Sequence, residues 1–261
     1  MPGSGYQGFL EGEQSGLRIA VLSFDVEQDC PPYLGESYRG VEEGLPYILD
    51  ILSQERVRAT FFSTARVAER YPQLIRRIVD EGHELGCHSY AHERLDKLPG
   101  STVASLLEKA TAKLRRFTDQ LTSFRAPNLK LPQSLLPVLH KLGYQVDSSI
   151  ALYKPPFRAM PRVEYGIVRL PVTVTSSMLR LPWRIQKRIH DVLPRGLRIY
   201  FAHPWEYIDM SWARVRVDCR YNTGEAALEL LRKLIGYLRG KGYTLVTISE
   251  AAQHVEASRQ D

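Results

Sequence analysis

Eight short apolar runs, separated by stretches whose hydrophobic residues step by three and four, constrain this 261-residue chain more than any other feature. The runs fall at 18–25, 59–63, 84–87, 123–125, 144–147, 167–171, 198–203 and 243–247, and their length and content read as strands. Between them, Leu45, Ile48, Leu49 and Leu52, and again Leu106, Leu107, Ala110, Leu114 and Phe117, mark one face of a helix. Strands alternating with helices build βα units on a mostly parallel sheet, and seven or eight units within about 250 residues match a barrel better than an open sheet. The expected fold is α/β, a single distorted (β/α) barrel of seven to eight strands.

Punctuation agrees with this reading. Pro46 with acidic Glu42 and Glu43 marks a helix start, Ser101 precedes a long helix, and Gly82 and Gly143 follow helix ends. Residues 152–169 carry prolines and little periodicity, which reads as a long loop packed on the same domain. With no internal repeat or linker, 1–16 reads as a flexible N-terminal segment and 17–261 as a single domain.

Composition then removes whole classes. Side chains that are 44% apolar and 25% charged exclude collagen-like, low-complexity and wholly disordered chains. Three scattered cysteines, Cys30, Cys87 and Cys219, form neither a disulfide framework nor a cysteine-rich zinc module, and fit a reducing compartment. The N-terminal stretch lacks a cationic start and an apolar core, and no run reaches the roughly 20 apolar residues of a membrane span. A cytoplasmic protein without signal peptide or transmembrane segment is expected. The net charge of +6 permits an acidic partner, but no phosphate loop or stacking-aromatic pattern accompanies it, so no nucleic acid is expected. Met178–Arg198 places six basic residues among apolar ones, and reads either as an ordinary helix with a solvated cationic face or as a peripheral membrane contact.

Two local patterns point to chemistry. In His88-Ser89-Tyr90-Ala91-His92 the imidazoles are four residues apart just after a strand; if the chain turns helical there, both rings reach one metal ion. In Asp25-Val26-Glu27-Gln28-Asp29 three acids crowd a strand end, an arrangement that a cation or proton relieves. Further polar residues follow other strands: Arg125 and Asn128 in Phe124–Asn128, Asp147 in Val146–Ser149, and His203 and Trp205 in Phe201–Glu206. Each alone has a structural reading, as ion-pair partner, cap or core histidine. On a barrel, however, the C-terminal strand ends share one rim, so Asp25, His88, Arg125, Asp147 and His203 would converge.

In their order these motifs resemble the polysaccharide deacetylase family, carbohydrate esterase family four, whose catalytic unit is the NodB homology domain. The likeness runs from about Leu17 to Ala252 through Asp25–Glu27, His88–His92, Arg125–Pro127, Asp147–Ser149 and His203. The family's adjacent aspartates are replaced by an Asp-x-acid spacing, and Ser37–Pro46 is similar to the branch that shares it. The aromatic residue usual after the Asp motif is missing near Ser149, which leaves the sugar preference open.

The resemblance implies a metal-dependent hydrolase that removes an N-acyl group, acetyl above all, from an amino sugar or glycan. It implies one divalent ion, zinc first and iron, cobalt or nickel as substitutes, on Glu27, His88 and His92, with Asp29 as an undecided fourth ligand. Asp25 would be the base, held by Arg125; His203 would protonate the leaving amine, oriented by Asp147. The Asn128 N–H would face the oxyanion, and Trp205, with Tyr207 as a second candidate, would stack on a sugar. Hydrolysis of cyclic imides or ureides and noncatalytic glycan binding stand as alternatives, and a homo-oligomer is compatible with the sequence.

Overall fold

The computed structural model describes residues 18–154 and 159–257, so the expected flexible segment 1–16 lies outside the described residues. The strands, in chain order, are β1 (Ile19–Val26), β2 (Thr60–Ser63), β3 (Glu84–Cys87), β4 (Ser123–Phe124), β5 (Val146–Asp147), β6 (Arg162–Glu164), β7 (Ile167–Arg169), β8 (Leu197–Ala202) and β9 (Thr244–Leu245). They form one sheet in the order β6-β7-β5-β4-β3-β2-β1-β8, with β9 also paired to β1. Every pairing is parallel except β6 with β7.

The sheet curls back on itself. Beyond β7, the Thr173 N–H donates to the Ile199 carbonyl of β8 at 2.8 Å, and the Ile199 N–H donates to Thr173 Oγ1 at 2.8 Å. The expected distorted barrel is therefore what the chain builds, and all eight sequence-read strands contribute to it. The ninth, β6, falls in the stretch read as a loop. Tyr165 and Gly166 take positive φ and close a hairpin in which Glu164 faces Ile167. Three partly exposed residues are too short for a period of two to register.

Helices cover the outside: α1 (Leu45–Gln54), α2 (Ala65–Arg70), α3 (Pro72–Asp80), α4 (Gly100–Leu114), α5 (Leu136–Lys141), α6 (Trp183–Val192), α7 (Val217–Arg220), α8 (Glu225–Gly240) and α9 (Ile248–Ala257). In α4 the buried stripe is Val103, Leu107, Ala110, Thr111 and Leu114, a helical period facing the sheet. This helix begins one residue before Ser101, with Pro99 as its cap. The basic stretch from Met178 is not one amphipathic helix: a 3₁₀ turn (Ser176–Arg180) precedes α6, and Arg180 and Arg198 are buried. No helix among the described residues is long and apolar enough to cross a membrane.

Alternation along β1 decides where the chemistry lies. Ala20, Leu22, Phe24 and Val26 join the core beneath the helices, whereas Ile19 and Val21 join the cluster inside the curl with Val168, Ile199 and Phe201. A period of two puts Ser23 and Asp25 on that inner face, above the apolar filling. At the opposite end, Ile248, Ala251, Ala252 and Val255 of α9 pack on the same inner cluster, so α9 plugs the bottom and leaves the C-terminal strand ends as the open rim.

Candidate active site

Asp25 and Arg125 form the floor of the rim. Arg125 is fully buried and donates to Asp25 Oδ1 (2.8 Å), Ser23 Oγ (2.9 Å), the Ser148 carbonyl (3.2 Å) and Ser148 Oγ (3.0 Å). Its guanidinium lies 4.2 Å from the Phe62 ring centroid and 5.6 Å from that of Phe201. A buried cation needs a full set of acceptors, and these supply it while fixing the carboxylate of Asp25.

Above this floor Glu27, His88 and His92 converge. Glu27 Oε2 is 3.1 Å from His88 Nε2 and 3.0 Å from His92 Nε2. His88 Nδ1 lies 2.7 Å from the Arg125 carbonyl, which can only accept, so Nδ1 is the donor there and Nε2 faces the cluster. The two rings do not meet on a helix face. Ser89 and His92 both adopt left-handed φ, in a turn that Glu93 holds by accepting from Ser89 Oγ (2.6 Å) and the Ala91 N–H (3.0 Å). A loop that reverses the chain replaces the i, i+4 stacking expected from the spacing.

These three donor atoms lie within 4.8 Å of one another. Two imidazole nitrogens and a carboxylate, with one imidazole oriented by a carbonyl, are a donor set that fits a divalent ion of the zinc type. Burial opposes charge on Glu27, but His92, His88 and His203 outweigh it and hold the carboxyl well below its usual range. Burial opposes charge on His92 too, and Glu27 still raises it. Asp29 does not join: it accepts from Ser37 Oγ at 2.6 Å and the Gly40 N–H at 2.9 Å, holding the loop before α1.

His203 stands on the other side of Glu27, with Nε2 3.8 Å from Glu27 Oε1. Its orienting partner is Glu206, a residue to which sequence reading gave no role: Nδ1 to Glu206 Oε1 is 2.6 Å. Asp147 is not that partner, because its oxygens are taken by Arg169 Nε at 2.9 Å and by Ser149 Oγ. Ser149 Oγ in turn accepts from the Ala126 N–H at 2.8 Å, so Asp147 braces the Arg125 loop. Glu206 is itself anchored by buried Arg180 at 2.6 Å. Burial works against charge on the His203 ring, but Glu206, Glu27 and Asp25 prevail and bring its pKa up to about 9. The three-residue spacing of His203 and Glu206 was the available signal, since it makes a capping box around the 3₁₀ turn Pro204–Tyr207.

Trp205 stacks on His203 (centroids 5.1 Å apart, 21° between planes), and the Arg180 guanidinium covers it at 5.7 Å. Trp205 is buried but still lines the cleft, and its stacking on His203 fixes the imidazole from one side. Tyr207 is buried against Phe24 and contributes nothing to the rim. Gly40 and Gly44 explain part of the Ser37–Pro46 motif: a Cβ on Gly40 would collide with the Trp205 backbone, and one on Gly44 with the Pro204 carbonyl.

The rim opens into a cleft of about 410 Å³ that Asp25, Glu27, His88, His92, Asn128 and His203 all line. Asn128 lies on its wall in a left-handed conformation, and Lys154 Nζ donates to its carbonyl at 3.0 Å. Tyr33 and Tyr153 also line the cleft and escaped notice in the sequence because they fall in irregular segments.

The family model described as polysaccharide deacetylase matches residues 14–146. Peptidoglycan-N-acetylmuramic acid deacetylase PdaA of Bacillus subtilis is 33% identical over 109 residues, 41% of this chain and 41% of that protein. Chitooligosaccharide deacetylase of Bradyrhizobium sp. is 33% identical over 135 residues, 51% of this chain and 56% of its own length. The match thus spans less than two thirds of either relative. A crystal structure from Mycobacterium smegmatis, assigned as a polysaccharide deacetylase, aligns with a TM-score of 0.68 at 19% identity, covering 93% of this chain and 92% of that one.

Proposed function

The chain belongs to the polysaccharide deacetylase family, and from that premise we propose that it is a metal-dependent hydrolase removing an N-acyl group, acetyl above all, from an amino sugar of a glycan. The observation that carries the reading is the meeting of Glu27, His88 and His92 between Asp25 and His203 at the floor of one cleft. The activity is assigned to one catalytic domain, 17–261.

Zinc is the ion proposed for Glu27, His88 and His92, where it would supply Lewis acidity toward an amide carbonyl and lower the pKa of a nearby water. Asp25, locked by Arg125, accepts the proton of the attacking water. The new C–O bond puts negative charge on the former carbonyl oxygen, and the Asn128 N–H is the backbone donor assigned to it. As the C–N bond breaks, the charged His203 ring gives its Nε2 proton to the departing amine. Glu206 holds the opposite ring nitrogen and keeps the ring charged for that step.

Relatives named as peptidoglycan and chitooligosaccharide deacetylases favour a glycan over a small ring as the occupant of this cleft. The test is elemental analysis of the purified protein beside the His88→Ala and His92→Ala variants, followed by assays on N-acetylglucosamine oligomers, peptidoglycan and cyclic imides. About one ion per chain, lost in both variants, with acetate released from a glycan, supports the reading. Imide turnover without acetate release would replace the substrate, and metal bound without hydrolysis of either class would favour a noncatalytic glycan binder.

A further inference from the structure

Two of the three cysteines meet at the edge of the cleft. Cys30 is 2% exposed in the loop after β1, Cys219 is partly exposed in α7, and both side chains pack in one apolar cluster, near enough for each thiol to shift the other's pKa. Both line the cleft, together with Tyr33 and Arg216, which come from the same two segments. The Cys30 loop is held from behind: Asp29 accepts from Ser37 and Gly40, and the Tyr33 N–H donates to the Cys30 carbonyl at 2.9 Å. The α7 side is held by Arg180, which donates to the Tyr221 carbonyl at 2.9 Å. Cys30 also packs in one apolar cluster with Trp205, the residue stacked on His203.

We propose that Cys30 and Cys219 are a redox modification site, in which a low-molecular-weight disulfide converts the two thiols to a Cys30–Cys219 disulfide that clamps this wall of the cleft. The roles of the two thiols differ. The neighbouring Cys30 thiol, with Arg180 and Arg216, lowers the Cys219 pKa despite some burial and nearby Asp218, whereas the Cys219 side chain and burial raise that of Cys30. Cys219, partly exposed and closer to its thiolate, attacks the small disulfide and expels one thiolate, forming a mixed disulfide. Cys30 then gives up its proton and attacks the Cys219 sulfur, expelling the second thiolate. Two protein thiols lose two electrons, the small disulfide gains them, and the two released protons end on two small thiols. Cys87 is the internal control, buried in the core with its thiol pushed up to about 11.

The test does not depend on the hydrolase reading. The reduced protein is equilibrated with glutathione and glutathione disulfide across a range of ratios, trapped with an alkylating agent and analysed by intact mass and peptide mapping. The expected result is loss of two hydrogens, one peptide pair joining Cys30 to Cys219, an alkylatable Cys87 after unfolding, and full reversal by dithiothreitol. Tryptophan emission should fall on oxidation, because the new disulfide packs against Trp205, and should not change in the Cys30→Ser/Cys219→Ser variant. The proposal is overturned by glutathione retained on Cys219 without a cross-link, by a cross-link through Cys87, or by two free thiols at every ratio. A cross-link without an emission change would overturn the coupling to Trp205.

Discussion

The Glu206 carboxylate lies 2.6 Å from Nδ1 of His203 and is backed by the buried Arg180 guanidinium, so the imidazole is oriented from within its own turn. Folded His203 keeps its proton to about 9, against 6.5 for the unfolded ring. Its contribution to stability is therefore whole below pH 6.5 and is lost as pH rises through 9. Glu206→Gln should narrow that window. With metal on Glu27 one of the supporting anions is neutralised, so the alkaline limb of turnover is expected below about 9. In Glu206→Gln it should move about one pH unit or more toward acid, one unit corresponding to about 1.4 kcal/mol. A pH–rate profile of both proteins checks this, and an unmoved limb would remove Glu206 from its positioning role.

Glu27 and Asp29 are two residues apart but have different work. Glu27→Ala should weaken metal binding by at least about a hundredfold, more than the loss of an outer hydrogen bond causes. Asp29→Asn should retain the ion and lose about 1–3 kcal/mol of stability as the bonds to Ser37 and Gly40 weaken. Metal titration and thermal unfolding separate the two; equal metal loss in both would return Asp29 to the ligand set.

Asp25 touches Arg125 at 2.8 Å and is 4.0 Å from His88 Nε2, close to the cluster of Glu27, His88 and His92 but outside its three donors. Asp25→Asn should leave the ion bound and lower turnover by about 10²–10⁴. Turnover within a few-fold of the wild type, with metal retained, would show that another group takes the proton.

Asp147 is fully buried, and its ion pair with Arg169 is buried too. Asp147→Asn leaves Arg169 with an uncompensated part of its charge and should cost about 3–5 kcal/mol of stability. The alkaline limb set by His203 should stay in place. Urea unfolding measures the first effect, and a pH–rate profile of the residual enzyme measures the second. A shifted limb would mean that Asp147 communicates with His203 after all.

Much of this protein is determined locally and can be read from its sequence. Eight of the nine strands show as apolar runs, because strand burial is a property of consecutive residues. Asp25, Glu27, His88, Arg125 and His203 reach one rim because parallel strands all end on the same side, which follows from alternation of strand and helix alone. Other relationships belong only to the folded chain. The turn that brings His92 onto Glu27 depends on left-handed backbone at Ser89 and His92, which a four-residue spacing does not encode. The assignment of Asp147 to Arg169 instead of His203, the inward turn of Arg180 toward Glu206, and the meeting of Cys30 with Cys219 join residues from distant segments. Each is decided by which charges and thiols the curled sheet desolvates side by side, because a buried charge must find its partner wherever the fold has put one.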